Sequence, residues 1–504
     1  MAEICRRLDG LPLAIELAAA RVKLFPPGAL LERLEHGLQL LAGGARDLPE
    51  RQRTLRDAIA WSHDLLDADG QRLFRRLAVF SGGFTLEAAE AVCKTGGYGQ
   101  VKNVVETLAA LVDNSLIAPE SGAGAGQGPP RFTMLETIRE YAAELLESSP
   151  GAEDVRRAHA TYFLALAEAT QPENLMDARQ GWWWTRLEEE HDNLRAALRW
   201  AVQSREADVG ARLASVLWRF WSARHPREGL RSLEAVLALD GPKTGVSGLP
   251  PRKRAFLLLV AGILAARLGN YDRAVALDEE SLGLYRELGH KKGTHAPLRE
   301  LATVAFYRGD HEEAVRLGER ALVVAREVGS VAGAGLAVCN LADALRARGD
   351  LDRARTLLQE SLAPLRGHEQ RVNVGNALVN TLARLGSIEC AFGDADRAAE
   401  FFGESLGLMW RLVGRAYETV ACMEGLARVS VMRGDPVKAA RLLGASAALR
   451  DEVGTPLSPI IQADHDHTTN AARKALGVEA FEAAWAVGHA MPFEEAIAYA
   501  LNRG

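Results

Sequence analysis

The sequence predicts a predominantly all-α chain. A helical domain closed by a β-hairpin comes first, then a helical bundle, then a long solenoid of helical hairpins. Three observations carry this prediction. A glycine followed by Asp or Asn recurs at Gly269, Gly309, Gly349, Gly393 and Gly434, at spacings of 40, 40, 44 and 41 residues. Small residues stand in fixed register with each glycine. Aromatic residues make up only 6% of the chain while glycine numbers 47 of 504, which suits helices packed through small side chains.

The expected organisation is a helical segment over 1–44, a helix-and-hairpin domain over 45–149, a bridging helical bundle over 150–248, a repeat array over 249–455 and capping helices over 456–504. In the first segment, Asp9-Gly10-Leu11-Pro12-Leu13-Ala14 precedes a helical pattern, and Pro12 is placed where the first helical turn has no use for an N–H. Residues 52–62 and 73–80 read as helices, followed by a Gly-rich turn at Ser81-Gly82-Gly83-Phe84. Leu108 to Ile117 reads as helix, turn and strand. Ser121 to Pro130 reads as a hairpin tip, Arg131 to Leu135 as the returning strand, and Glu136 to Glu147 as a closing helix. In the bridging region, Trp182-Trp183-Trp184 and Trp200 are expected to pack rather than to cage a ligand.

In the repeats, an alanine falls five positions after each glycine (Ala274, Ala314, Ala354, Ala398, Ala439). Ser281, Ala321, Ser361, Ser405 or Ser446 falls at twelve, and Gly262, Ala302, Ala342, Gly386 or Ala427 falls seven before. Glycine supplies the left-handed conformation that ends the first helix of a pair. The following Asp or Asn caps the second, and the small residues let two antiparallel helices cross closely. Such hairpins bury their apolar faces only by stacking on neighbours.

The formal charge of −6 argues against a basic nucleic-acid coat. The five cysteines form no CxxC pair, so neither a zinc site nor a disulfide framework is indicated, and a reducing cytoplasm is the expected compartment. No apolar run is long enough for a membrane span. Glu188-x-x-His191 has the spacing of half a di-iron site but no partner pair. The histidines of Asp464-His465-Asp466-His467 would point away from each other on a helix, and His311-Glu312-Glu313 lacks the second histidine of a zinc motif. No catalytic residue, metal site or cofactor is expected.

These motifs bring two families into view. The 40-residue unit resembles a long variant of the tetratricopeptide repeat. Gly10-Leu11-Pro12-Leu13-Ala14 resembles the GLPLA motif of the NB-ARC module in STAND-type signal-transduction ATPases, and residues 45–149 are similar to the winged-helix domain that follows it there. Residues 181–201 resemble the bridging segment of actinobacterial-style regulators of this kind, some of which carry a LuxR-type DNA-binding domain. The resemblance implies that Pro12 corresponds to a proline packing near adenine. It also aligns Met134-Leu135-Glu136 with the Met-His-Asp motif, whose histidine reaches the nucleotide β-phosphate. Leu135 has no donor for that task. No G-x-x-x-x-G-K-[ST] run is present, and nine residues before Gly10 are too few for a nucleotide domain. The chain is therefore expected to be the C-terminal portion of such a regulator, binding neither ATP nor ADP by itself.

The favoured function is a non-enzymatic regulatory scaffold that takes a protein or small-molecule effector in the repeat groove. The weaker alternative is DNA binding through the winged helix, using the basic flank that includes Arg53, Arg56, Arg75 and Arg76. Against it stands a wing tip without Lys or Arg. A second alternative is a nucleotide-binding regulator, if a P-loop domain belongs upstream. Oligomeric state has no signature in the sequence.

Overall fold

The structure, a computed structural model, describes residues 55–93, 101–120, 129–169, 180–239, 248–368, 372–412, 417–453, 457 and 459–501. The expectations for Gly10–Leu13, Arg53, the wing tip and the side chains of Trp182–Trp184 lie outside the described residues. The chain divides into two compact units, Met1–Ala169 with Arg186–Gly210 and Thr170–Thr185 with Ala211–Gly504.

In the first unit, α1 (Leu55–Asp64), α2 (Ala68–Leu77), α3 (Leu86–Cys93) and α4 (Val104–Asp113) precede a small sheet and α5 (Glu136–Glu147). Asp67 caps α2 by accepting from the Gly70 amide at 2.7 Å, and Asn103 caps α4 through the Glu106 amide. The sheet has three strands in the order β1-β3-β2, all antiparallel: β1 is Phe84–Thr85, β2 Ala118–Pro119 and β3 Arg131–Thr133. This corrects the expected two-stranded hairpin. The sequence pattern places Phe84 at the end of the glycine turn, but Phe84 pairs with Phe132 and Thr85 with Arg131. A two-residue strand is too short to show alternation. The first wing strand also lies two residues later than expected, because Leu116 and Ile117 are buried in the core ahead of it. Then follow α6 (Ala152–Ala169), α7 (Gln180–Glu189), whose residues divide between the units at Arg186, and α8 (His191–Gln203); α9 (Ala207–Arg224) passes into the second unit at Ala211.

The second unit is a helical array. After α10 (Pro226–Ala238), five hairpins stack in sequence: α11 (Pro251–Arg267) with α12 (Tyr271–Glu287), α13 (Lys291–Tyr307) with α14 (His311–Glu327), α15 (Val331–Ala347) with α16 (Leu351–Arg366), α17 (Val372–Phe392) with α18 (Ala395–Leu412), and α19 (Tyr417–Met432) with α20 (Pro436–Val453). Three helices follow: α21 (Pro459–Leu476), α22 (Val478–His489) and α23 (Phe493–Leu501).

The turn glycines Gly269, Gly309, Gly349, Gly393 and Gly434 have φ of 78°, 81°, 85°, 82° and 78°, the left-handed region that favours glycine. The alanines five residues on (Ala274, Ala314, Ala354, Ala398, Ala439) are buried at the crossings. The capping expectation holds at three of five turns. Asp310, Asp394 and Asp435 accept from the amides of Glu313, Arg397 and Lys438 at 2.9–3.0 Å. Asn270 and Asp350 make no such side-chain bond. A second glycine series, which the sequence pattern did not bring out, lies between successive hairpins: Gly289 and Gly329 adopt positive φ there.

Candidate functional site

Each sequence candidate among the described residues has a definite place within its unit. Leu135 holds the N-cap position of α5 with no side-chain cap, between Met134 in the preceding loop and Glu136, whose carboxylate binds Arg139. The expected basic flank of the winged helix is largely spent on internal contacts. Arg56 pairs with Glu144 and lies over the Tyr141 ring. Arg72 pairs with Asp69, and Arg75 donates to the Gln71 carbonyl. Arg76 is a correction: it is buried and donates to the Cys93 carbonyl at 3.0 Å, so it is not presented to a phosphate.

Helix α4 is the second helix of the α3–α4 pair, the one that enters the major groove in helix-turn-helix proteins. Its exposed face offers Val105, Glu106, Ala109, Ala110 and Asp113, with Lys102 just ahead of its cap. That face is apolar and acidic, the reverse of what a polyanion requires.

The turn before β1, β3 and the start of α8 meet in a buried polar cluster. Asn193 accepts from the Ser81 amide at 2.8 Å and faces His159 Nε2 at 3.3 Å, while its amide donates to the Gly83 carbonyl and to Glu190. Glu190 is ion-paired with Arg131 and Arg186, and Arg131 also binds Glu120. Every polar atom of the Asn193 side chain is therefore used, which fixes α8 against the small sheet. Burial pushes the His159 imidazole down to about 4, so it stays neutral there. Glu188 and His191, the half-site set aside in the sequence, fall on consecutive helices, α7 and α8, with their candidate ligand atoms within 4.8 Å of each other. Glu190 and Asn193, which no motif singles out, carry the contacts.

In the second unit, the first helices of the hairpins line one groove. It encloses a cavity of about 240 Å³, with Asn340, Asp343, Asn380, Arg384 and Glu424 on its wall. Arg384 binds Asp343 at 2.8–2.9 Å and the side-chain oxygen of Asn380 at 3.0 Å. Burial opposes its charge, yet Asp343 holds the guanidinium above the usual arginine range. Asn340 donates to Thr303. Asp464 on α21 binds Arg346 of α15 at 3.0 Å and Arg428 of α19 at 3.2 Å. His465 faces Glu424 at 2.8 Å, and Glu424 also accepts from Ser446. Asp464 and His465, weighed in the sequence only as a metal motif, thus belong to the groove. Their partners lie on helices 36 to 118 residues away, so no local spacing could reveal them.

Comparison with known proteins agrees with this architecture. A winged helix-turn-helix domain family matches residues 66–147, and a tetratricopeptide repeat family matches 253–327 and 293–365. The chain carries both. It is 39% identical over 291 residues to proteins of Mycobacterium tuberculosis and Mycobacterium bovis named "Putative HTH-type transcriptional regulator"; the match covers 57% of this chain and 32% of theirs. It is also 39% identical over 153 residues to an uncharacterized protein of Mycobacterium tuberculosis, covering 30% of this chain and 38% of that one. The chain therefore spans about a third of the length of these relatives. Among solved structures, a STAND protein with a tetratricopeptide repeat sensor from Pyrococcus horikoshii matches at TM-score 0.40 and 13% identity, covering 94% of this chain and 70% of that one. A Rap protein complexed with competence and sporulation factor matches at TM-score 0.40 and 11% identity, covering 69% and 96%. Among the described residues, no helix is long and apolar enough to cross a membrane.

Proposed function

We propose that the chain is a non-enzymatic regulatory part of a STAND-like transcriptional regulator, and that it receives a protein partner on the groove lined by α13, α15, α17 and α19. One observation carries the reading. This groove gathers Asn340, Asn380 and Arg384 around a cavity on consecutive first helices. The Asn340 and Asn380 amides, which bond Thr303, Asn376 and Arg384, can exchange these contacts for a backbone donor or acceptor. A helical array of this kind offers binding surface rather than reaction chemistry. The similarity to regulators named for an HTH domain supports a role in controlling transcription.

The DNA-binding alternative is weaker, because the exposed face of α4 carries Glu106 and Asp113 and its flanking arginines are engaged in internal contacts. A cytoplasmic location is part of the same proposal.

A photo-crosslinking amino acid at position 380, on the groove wall, tests the reading in living cells against a control at Thr356 on the exposed side of α16. A discrete protein adduct at 380 and none at 356 is expected. An adduct at 356 with none at 380 would place the partner elsewhere.

A further inference from the structure

The groove already holds an acidic side chain of this chain. Helix α21 brings Asp464 between Arg346 and Arg428, and each arginine takes one carboxylate oxygen, at 3.0 and 3.2 Å. The two arginines come from different hairpins, so they converge only because the helices stack. Two guanidinium groups around one carboxylate form an anion subsite, and Asp464 sits at the edge of the cavity that Asn380 and Arg384 line.

Helix α21 completely buries few of its described residues. Among its residues described for burial, only Thr468 and Ala472 are fully buried. Ile461 lines the cavity and Leu476 packs beside the core of the last hairpins, while the helix's polar hold on the groove runs through Asp464 and through His465 on Glu424. An element with little buried apolar surface opens at low cost.

We propose that α21 is a tethered occupant of this subsite, and that the partner enters the groove with an acidic peptide segment whose carboxylate displaces Asp464 from Arg346 and Arg428. This rests on the groove reading above and names the chemistry of its ligand. A peptide is the matching occupant because the group it replaces is itself a carboxylate on a stretch of chain.

The test uses the full chain and fluorescein-labelled pentaglutamate, followed by anisotropy at low salt. Asp464→Asn removes the internal competitor at nearly constant shape. It is expected to bind at least tenfold tighter than the parent, with pentalysine failing to bind. Adding Arg346→Ala and Arg428→Ala is expected to abolish the gain. Hydrogen exchange is expected to quicken about tenfold across 459–476 in Asp464→Asn and to stay unchanged across 478–501. The proposal is overturned if Asp464→Asn binds pentaglutamate no better than the parent, if the gain survives loss of both arginines, or if exchange in α21 does not change. A crosslink at position 380 with no gain for pentaglutamate rejects the acidic occupant and leaves the groove reading standing.

Discussion

At the residue scale, buried polar groups separate into satisfied and unsatisfied ones, and the two make opposite predictions. Glu190 is satisfied, with Arg131 and Arg186 paired to it. Glu190→Ala removes the shared buried carboxylate and leaves Arg131 only Glu120 and Arg186 only Glu189, so the first unit should lose on the order of 3 kcal/mol in urea unfolding. His159 binds a proton near 6.5 when unfolded and only near 4 when folded. The unfolded state therefore takes up more protons as pH falls through that window. The first unit should lose up to about 3 kcal/mol between pH 6.5 and 4 and little more below it. His159→Gln should flatten that loss, as read by amide exchange in α6.

Asp278 is the unsatisfied case. Neither of its oxygens has a hydrogen-bond partner among the described residues, and a Cβ at Gly262 would lie 2.4 Å from one of them. Burial, reinforced by the Glu300 carboxylate, raises its pKa to about 9. The unfolded carboxyl ionises near 3.8, so stability drains as pH rises from about 4 to 9. Asp278→Asn should stabilise the array on the order of 2 kcal/mol at pH 8 and not at pH 4, measured by thermal melts. The same register holds Gly318, Leu358, Phe402 and Leu443 in the other hairpins, which makes this carboxyl the departure from the pattern.

At the element scale, glycines do two distinct jobs. Gly393 has positive φ, and a methyl group at its Cα would meet nothing within 4 Å, so its role is conformational. Gly393→Ala should cost about 1 kcal/mol. Gly425 stands inside α19, where a Cβ would lie 2.3 Å from the Phe402 ring. Gly425→Ala should cost about 1–3 kcal/mol through overpacking and should move the α18–α19 pair, as seen by chemical denaturation and exchange. The hairpin turns were legible because glycine, aspartate and alanine recur at fixed distances. Strand β1 was not, since two residues carry no period. Nor were the contacts of Asn193 or Asp464, whose partners are far away in the chain.

At the scale of the whole molecule, a winged helix and a repeat array were foreseeable, because both are written in local periodicity and turn residues. The groove was foreseeable only as a consequence of stacking. Which side chains meet there depends on how the hairpins superimpose, and that brings Arg346, Arg428 and Asp464 together. Under the function proposed above, this groove rather than the α4 face is the surface through which regulation passes. The most direct measurement is the transcript profile of a strain whose only change is Arg384→Glu, compared with a strain lacking the gene and with the parent, after thermal melts have shown that the variant folds. Arg384→Glu is predicted to shift the same transcripts in the same direction as the deletion. A folded variant whose transcripts match the parent would contradict the role given to the groove.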